Sequence, residues 1–159
     1  SLDAIKRIDF KVQRMLDGML GEYPDNMLAA KFNVPYAVAV ALIKNNTDIT
    51  VFRPEVIADP RIRALASKVY VEVDPILVAA GDDGPLARAS IQLEDGRVVH
   101  GTTGILRGDY GNQVSRSELM AKFHFLCDDL LGEDRASTVV ATIERLDGLS
   151  DVRELTSLL

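Results

Sequence analysis

Cysteine, tryptophan and histidine are almost missing from this chain. Its 159 residues include one cysteine, no tryptophan and two histidines. A lone cysteine, Cys127, cannot form an intrachain disulfide, and it excludes a zinc site built from four cysteines. The segment SLDAIKRIDF at residues 1–10 also lacks the basic and apolar regions of a secretory signal peptide. We therefore expect a protein of a reducing compartment, the cytoplasm.

Excess positive charge and long apolar runs are missing as well. The chain carries 18 Lys and Arg against 24 Asp and Glu, which gives a net charge of −6. Nucleic-acid binding depends on clustered basic residues, so a nucleic-acid partner is not expected. No apolar run approaches the roughly 18 residues that a membrane-spanning helix needs. We expect neither a nucleic-acid partner nor a membrane partner.

The familiar catalytic motifs are also lacking. The sequence contains no GxSxG, no glycine-rich phosphate loop, no HExxH and no paired-cysteine metal motif. A two-residue hairpin turn would place His100 on the same sheet face as Ile91, and His124 lies between Phe123 and Phe125 on a predicted helix. Packing or hydrogen bonding is the favoured role of both histidines, and neither has a second His or Cys at ligand spacing. We expect no metal and no cofactor.

Alternating apolar and polar residues predict the strands of a sheet. The alternation covers residues 8–12, 69–73 and 87–94. Asp95 and Gly96 are a strong signal for a two-residue hairpin turn, which would be followed by a return strand over 97–103. Such a turn places Leu93 opposite Val98. The sequence thus predicts about four strands, mostly consecutive in the chain.

Helical periodicity and capping residues predict the helices. A run from about residue 35 to 43 is apolar on every side, which is typical of a core helix. Asp59 caps a short helix that ends near Ser67, and the capping-box pair Ser115 and Glu118 opens a long one. Asp134 is predicted to cap a further helix, and a last short helix follows. Residues 15–26 are predicted as a loop with at most one helical turn, and 79–85 as a flexible stretch.

This order of elements predicts an α+β fold with an antiparallel sheet of about four strands packed against helices. We expect residues 1–159 to form one domain, because the chain has the usual length of one.

The segment RGDYGNQVS, residues 107–115, connects the last predicted strand to the long helix. Its glycines, Asp109 and Asn112 are typical of tight turns, so a structural connection is the favoured interpretation. The alternative is that Arg107 and Lys122 present positive charge to an anionic ligand.

The segment KFNVPYAVAVAL, residues 31–42, places polar residues at the start of the core helix. A helix N-terminus favours a carboxylate or phosphate, Lys31 adds positive charge, and the phenol of Tyr36 is suited to hydrogen bonding or proton transfer. Alternatively, Asn33 only caps the helix and Tyr36 is an interior aromatic. The residues themselves leave both interpretations open.

Five segments in the same order resemble the MmgE/PrpD family, also called the 2-methylcitrate dehydratase family. AAKFNVPYAVAVAL is similar to a KFS-x-x-Y pattern followed by an Ala-rich helix, and RGDYGNQVSRSELMAKF resembles a G-D/N-P-x-x-P-L-S-x-x-E-L-x-x-KF pattern. The other three segments are IKRIDFKV, DPRIRALASKVYVEVD and LEDGR. Asn33 stands where the family usually has Ser, and Tyr110 and Gln113 stand where it usually has prolines.

The resemblance implies a cofactor-independent lyase or isomerase acting on small di- or tricarboxylates, such as a dehydratase, a decarboxylase or an epimerase. Family members have a large all-helical domain followed by a smaller α+β domain, and this chain is similar to the second alone. The family's catalytic Lys and His residues lie mostly upstream, in the helical domain and in a K-x-[FY]-P-x-C…H motif. The resemblance assigns the catalytic role here to Tyr36, and Lys31 and Asn33 are the expected substrate-binding residues.

Two hypotheses for function follow from this resemblance. In the first, the chain supplies part of an inter-domain active site to a full-length enzyme, expected to be a homodimer, and is inactive alone. In the second, it is a non-catalytic binding or oligomerisation module. The start at Ser1 rather than Met indicates a fragment or a processed chain, and an upstream helical region with the K-x-[FY]-P…H motif would favour the first hypothesis.

Overall fold

The computed structural model describes residues 1–13, 19, 21–81 and 84–159. These residues form two compact units, Ser1–Leu106 and Arg107–Leu159. Part of the predicted loop over 15–26, at residues 15–18 and 20, lies outside the described residues, as do residues 82 and 83 of the predicted flexible stretch. The expectation of one domain over 1–159 stays a prediction.

The first unit contains a four-stranded sheet with the strand order β2-β1-β3-β4. The strands are β1 (Ile5–Val12), β2 (Val69–Val73), β3 (Ala87–Leu93) and β4 (Val98–Thr103). β3 runs antiparallel to β1 and to β4, whereas β2 runs parallel to β1. The predicted α+β class is confirmed. The sheet is antiparallel as predicted except for the pair of β1 and β2, which is parallel. A helical connection separates β1 from β2, and such a crossover is what allows parallel pairing.

The hairpin between β3 and β4 has a different turn from the one predicted. The Leu93 N–H donates to the Arg97 carbonyl at 2.9 Å, which leaves a three-residue loop containing Gly96 at a φ of 87°. Ser90 is therefore paired with His100. The predicted register was wrong by one residue, and such a shift moves every side chain of β4 to the opposite face. His100 consequently lies on the polar face of the sheet, where it is exposed.

One face of the sheet forms the core of the first unit. Along β1, Ile8 and Val12 are fully buried, whereas the alternate positions are polar. The core cluster joins sheet residues to helix residues of the same unit: Ile5, Ile8, Ala30, Tyr36, Ala39, Val40, Val51, Ile57, Ile62, Leu65, Ala66 and Val69. Burial of this apolar surface is the main stabilising contribution.

The first unit also contains five short helices among its described residues. They are α1 (Met27–Lys31), α2 (Val34–Lys44), α3 (Pro54–Ile57), α4 (Pro60–Ala66) and α5 (Pro75–Ala80), with 3₁₀ turns at Leu2–Ala4 and Ile49–Phe52. The predicted core helix and the helix capped by Asp59 are confirmed as α2 and α4. The others were not predicted, because segments of four to six residues are too short to show a helical period.

α2 is buried on one side rather than all round. Tyr36, Ala39 and Val40 are buried, whereas Ala37 is exposed. The helix ends at Asn45, which adopts a left-handed conformation with a φ of 49°. α2 is therefore a core helix with one solvent-facing side.

The second unit is helical, with α6 (Arg116–Leu131), α7 (Glu133–Glu144), α8 (Arg153–Thr156) and a 3₁₀ turn at Leu146–Gly148. The capping box of Ser115 and Glu118 is confirmed at the start of α6. The predicted cap at Asp134 is wrong, because α7 follows Gly132 directly and Asp134 lies in its first turn. Across the described residues, no helix is both long enough and apolar enough to cross a membrane.

Candidate functional site

The start of α2 is held by the side chain of Asn33. Its Oδ1 accepts a hydrogen bond from the Tyr36 N–H at 2.9 Å, and its Nδ2 donates to the carbonyls of Glu22 at 2.9 Å and Gly21 at 3.2 Å. Both amide hydrogens and the amide oxygen are thus engaged within the protein. Asn33 is also buried, with 5% of its surface exposed. The capping role is confirmed, and the substrate-binding role stays a prediction.

The first-turn N–H groups of α2 are also occupied. Val34 donates to the carbonyl of Met19 at 3.1 Å, Pro35 has no N–H, and Tyr36 donates to Asn33. The first turn of α2 therefore leaves no free N–H to direct toward a ligand. An anion in front of α2 would need a side chain as its hydrogen-bond donor.

Tyr36 lies in the interior. It has no exposed surface, and its hydroxyl donates to the backbone carbonyl of Val51. Its ring packs edge-on against Tyr23 with the centroids 5.9 Å apart, and lies 6.4 Å from the ring of Phe52. Burial, and secondarily the neighbouring Tyr23, raises the pKa of Tyr36 to about 12. The phenol is therefore a neutral donor near pH 7 and not a base.

This geometry corresponds to the alternative in which Tyr36 is an interior aromatic. Donation of a hydrogen bond to a substrate would require its hydroxyl to leave the carbonyl of Val51. The catalytic role stays a prediction.

Lys31 lies at the end of α1 and is exposed. Its Nζ is 5.9 Å from the centroid of the Phe52 ring, a distance at which a cation interacts with the aromatic face. Lys31 does not line the cleft in front of α2. Its substrate-binding role stays a prediction.

A cleft of about 380 Å³ lies in front of α2. Its lining includes Tyr23, Asn33, Pro35, Arg63 and Ser67. Arg63 contributes a positive charge, and no carboxylate is present among the described lining residues. The volume falls within the range usual for small-molecule sites. The cleft is therefore suited in size and charge to a small anion.

Arg63 was missed by the sequence analysis. Its guanidinium carbon lies 4.1 Å from the centroid of the Tyr23 ring, although 40 positions separate the two residues in the chain. The Tyr23 hydroxyl donates to the carbonyl of Ile57 at 2.8 Å, which holds the ring in place. No local pattern signals such a pair, because only the packing of α4 beside residues 21–23 brings it together.

A larger cavity, of about 530 Å³, is lined in part by Leu2, Arg61 and Lys68. Its cations are engaged within the protein. Arg61 forms an ion pair with Asp59 at 2.8 Å, and the Nζ of Lys68 donates to the carbonyl of Ile5. None of the predicted site residues lines this cavity.

The connection over residues 107–115 is held together by Arg107. Its guanidinium donates to Asn112 Oδ1 at 2.9 Å, to the carbonyl of Gln113 and to the carboxylate of Glu118. The carboxylate of Glu118 also accepts from the Ser115 N–H at 2.8 Å. The favoured interpretation of this segment as a structural connection is confirmed, because Arg107 is used to build it.

Neither histidine belongs to a metal-binding cluster of the described residues. His124 Nδ1 lies 2.8 Å from an oxygen of Asp128, one helical turn along α6, and His100 is exposed on the sheet. In the part of the chain that the structure describes, no cluster of three or more His, Cys, Asp or Glu residues is suited to hold a metal ion.

Comparison with known proteins agrees with the resemblance seen in the sequence. The family model of the MmgE/PrpD C-terminal domain matches residues 1–147. Cis-aconitate decarboxylase of Mus musculus is 25% identical over 142 residues, which cover 86% of this chain and 28% of the relative. Cis-aconitate decarboxylase of Homo sapiens is 24% identical over 162 residues, which cover 99% of this chain and 32% of the relative.

The chain thus spans a third or less of the length of these curated relatives. The match to the family model nevertheless extends over most of this chain, and the predicted α+β fold is present. This chain belongs to the MmgE/PrpD family and corresponds to its C-terminal domain.

Proposed function

We propose that this chain is the C-terminal part of a lyase or isomerase that acts on small di- or tricarboxylates. In this proposal it contributes one wall of an active site that a helical region outside residues 1–159 completes. The observation that carries the proposal is the family match over residues 1–147, supported by two relatives named cis-aconitate decarboxylase. The reaction of the whole enzyme is a dehydration, a decarboxylation or an epimerisation.

The cleft in front of α2 supports this proposal by its charge. The whole chain has a net charge of −6, yet the described lining contains Arg63 and no acidic side chain. Placing the cation at this cleft favours an anionic ligand over a neutral or cationic one. A small carboxylate has the size and the charge that the cleft accommodates.

Exposed apolar side chains on α1 and on the 3₁₀ turn that it contacts support the proposal that a further region packs against this chain. Leu28 is 67% exposed, Phe32 is 57% exposed and Ile49 is 49% exposed. They lie on α1, directly after it, and on the 3₁₀ turn that follows α2. Clustered exposed apolar residues are typical of protein interfaces. The proposed occupant of this surface is the helical region of the full-length enzyme.

A second candidate is a binding or oligomerisation module without catalysis. The observation that favours it is the engagement of Tyr36 and Asn33 in internal hydrogen bonds. A module of this kind requires no reactive side chain, whereas the enzyme requires the missing region to supply most of them.

Turnover by the full-length protein tests the proposal. The protein containing residues 1–159 and the preceding helical region would be incubated with 2-methylcitrate, cis-aconitate and iminodisuccinate, and products would be followed by NMR. We expect turnover of one of the three. The chain of residues 1–159 alone is the matched control and should give no turnover. A full-length protein that folds and turns over none of them would contradict the enzyme and favour the module.

A further inference from the structure

The cleft in front of α2 needs a side chain to bind an anion. The N–H groups of Val34 and Tyr36 are hydrogen-bonded within the protein, and Pro35 has none. The amide of Asn33 is likewise fully engaged. The first turn of α2 and its cap therefore offer no donor to a ligand, and Arg63 is the cation among the described lining residues.

We propose that Arg63 binds a carboxylate group of the substrate in this cleft. This inference rests on the proposed function for the class of substrate, and it assigns the recognition of charge to a residue to which the family resemblance gives no role. Among the described residues, no carboxylate forms an ion pair with Arg63. By contrast, Arg61 on the same helix is paired with Asp59 at 2.8 Å.

Tyr23 holds the guanidinium of Arg63 in position. The guanidinium carbon is 4.1 Å from the ring centroid, and the ring is itself held by a hydrogen bond to Ile57 and by packing against Tyr36. Stacking uses the face of the guanidinium, whereas its N–H groups lie in the plane and remain suited to a bidentate carboxylate. A stacked arginine loses less freedom on binding than a mobile one, so the site is preorganised.

Asp59 forms no ion pair with Arg63 among the described residues. Asp59 acts electrostatically on Tyr23, but it is paired with Arg61 at 2.8 Å and with Lys44 at 3.9 Å. Its charge is therefore compensated by two other cations. The anion that pairs with Arg63 is therefore proposed to come from a bound ligand.

Binding of tricarballylate, an unreactive small tricarboxylate, tests this role. The chain of residues 1–159 would be titrated and followed by NMR, with a Kd in the millimolar range expected for a site that lacks its other wall. Amide shifts should concentrate at Tyr23, Arg63 and Ser67. Arg63→Gln should weaken binding about tenfold or more, because it removes a charged hydrogen-bonding partner. Arg63→Lys should give an intermediate loss, since it keeps the charge without the planar fork.

Arg61→Gln is the matched control, because it removes the same charge from the same helix, and it should change the Kd by less than about threefold. The uncharged triamide of tricarballylate should not bind.

Three results would overturn the role of Arg63. They are absence of tricarballylate binding, Arg63→Gln binding within about threefold of the unmodified chain, and a loss of affinity in Arg61→Gln equal to that in Arg63→Gln. The NMR spectrum reports folding in the same sample. If Arg63→Gln does not fold, an Arg63→Lys variant that binds as tightly as the unmodified chain overturns the role.

These results are separable from the test of the proposed function. Arg63-dependent binding of tricarballylate without turnover by the full-length protein would contradict the enzyme and leave the binding role of Arg63 intact. Turnover together with binding that is independent of Arg63 would support the enzyme and contradict the binding role of Arg63.

Discussion

At the scale of single residues, the family motif and the structure point to different roles for Tyr36. The family motif assigns its phenol to the active site, whereas in the structure the phenol is buried and donates to the carbonyl of Val51. A buried carbonyl that loses its hydrogen-bond donor destabilises the folded state, because it was removed from water on folding and no protein group then replaces the bond to water. A substitution that removes only the hydroxyl separates the two roles.

Tyr36→Phe should lower the stability of the chain. The loss of the buried hydrogen bond to Val51 should cost about 1 to 3 kcal/mol, which lowers the thermal midpoint by several degrees in a chain of this length. Thermal unfolding followed by circular dichroism measures this. Tyr110→Phe is the matched control, because Tyr110 is 97% exposed, and its midpoint should not change.

The opposite result would support a catalytic role for Tyr36. It would consist of an unchanged midpoint for Tyr36→Phe together with a loss of about 10²-fold or more in kcat/KM of the full-length protein.

At the scale of elements, the start of α6 shows how a local motif is reinforced by a more distant residue. The capping box joins Ser115 and Glu118, which are three positions apart. Arg107 then adds an ion pair to the same carboxylate from across the connecting segment. The cap is therefore part of the connection as well as part of the helix.

Protonation of Glu118 should weaken this element at low pH. The side chain of Arg107 first, and then the hydroxyl and N–H of Ser115, lower the pKa of Glu118 from 4.5 to about 2 in the folded chain. A carboxyl whose pKa is lower in the folded state stabilises that state above its unfolded pKa. This contribution is complete above about pH 4.5 and is lost as the pH falls toward 2.

Thermal midpoints at several pH values between 7 and 2 check this dependence. Glu118→Gln should show a smaller decrease across the acid range than the unmodified chain. The matched control is Glu133→Gln, in the first turn of α7, where Gly132 provides no side-chain cap. Equal acid dependence in the unmodified chain and in Glu118→Gln would show that this carboxylate does not contribute.

At the scale of the whole molecule, the balance between charge and exposed apolar surface matters. A net charge of −6 opposes self-association through repulsion. The exposed side chains of Leu28, Phe32 and Ile49 favour association, or contact with a partner. Salt screens the repulsion and leaves the apolar attraction, so association should increase with ionic strength.

The chain of residues 1–159 should bind a hydrophobic dye or associate with itself through this surface. Phe32→Lys should reduce dye fluorescence and shift sedimentation toward the monomer, because it places a charge among the exposed apolar side chains. Leu130→Lys, at a position 82% exposed in the second unit, is the matched control and should have a smaller effect. A monomeric chain without dye binding would count against an interface at α1.

The sequence by itself determined the elements whose signals are local. Alternation predicted β1, a run of apolar residues predicted α2 from about residue 35, and a capping box predicted α6, since each of these depends on residues within a few turns or along one strand. The family was also readable from short segments in order, and the match over residues 1–147 agrees with it.

The tertiary structure alone decided the features that depend on residues far apart in the chain. The parallel pairing of β2 with β1 depends on where the intervening helices pack, and the one-residue change in the β3–β4 register depends on the turn around Gly96. The placement of Arg63 over Tyr23 likewise joins two segments that have no local signal in common. Local signals arise from backbone geometry and neighbouring side chains, whereas such pairs form only when the core is packed, and packing is a property of the whole unit.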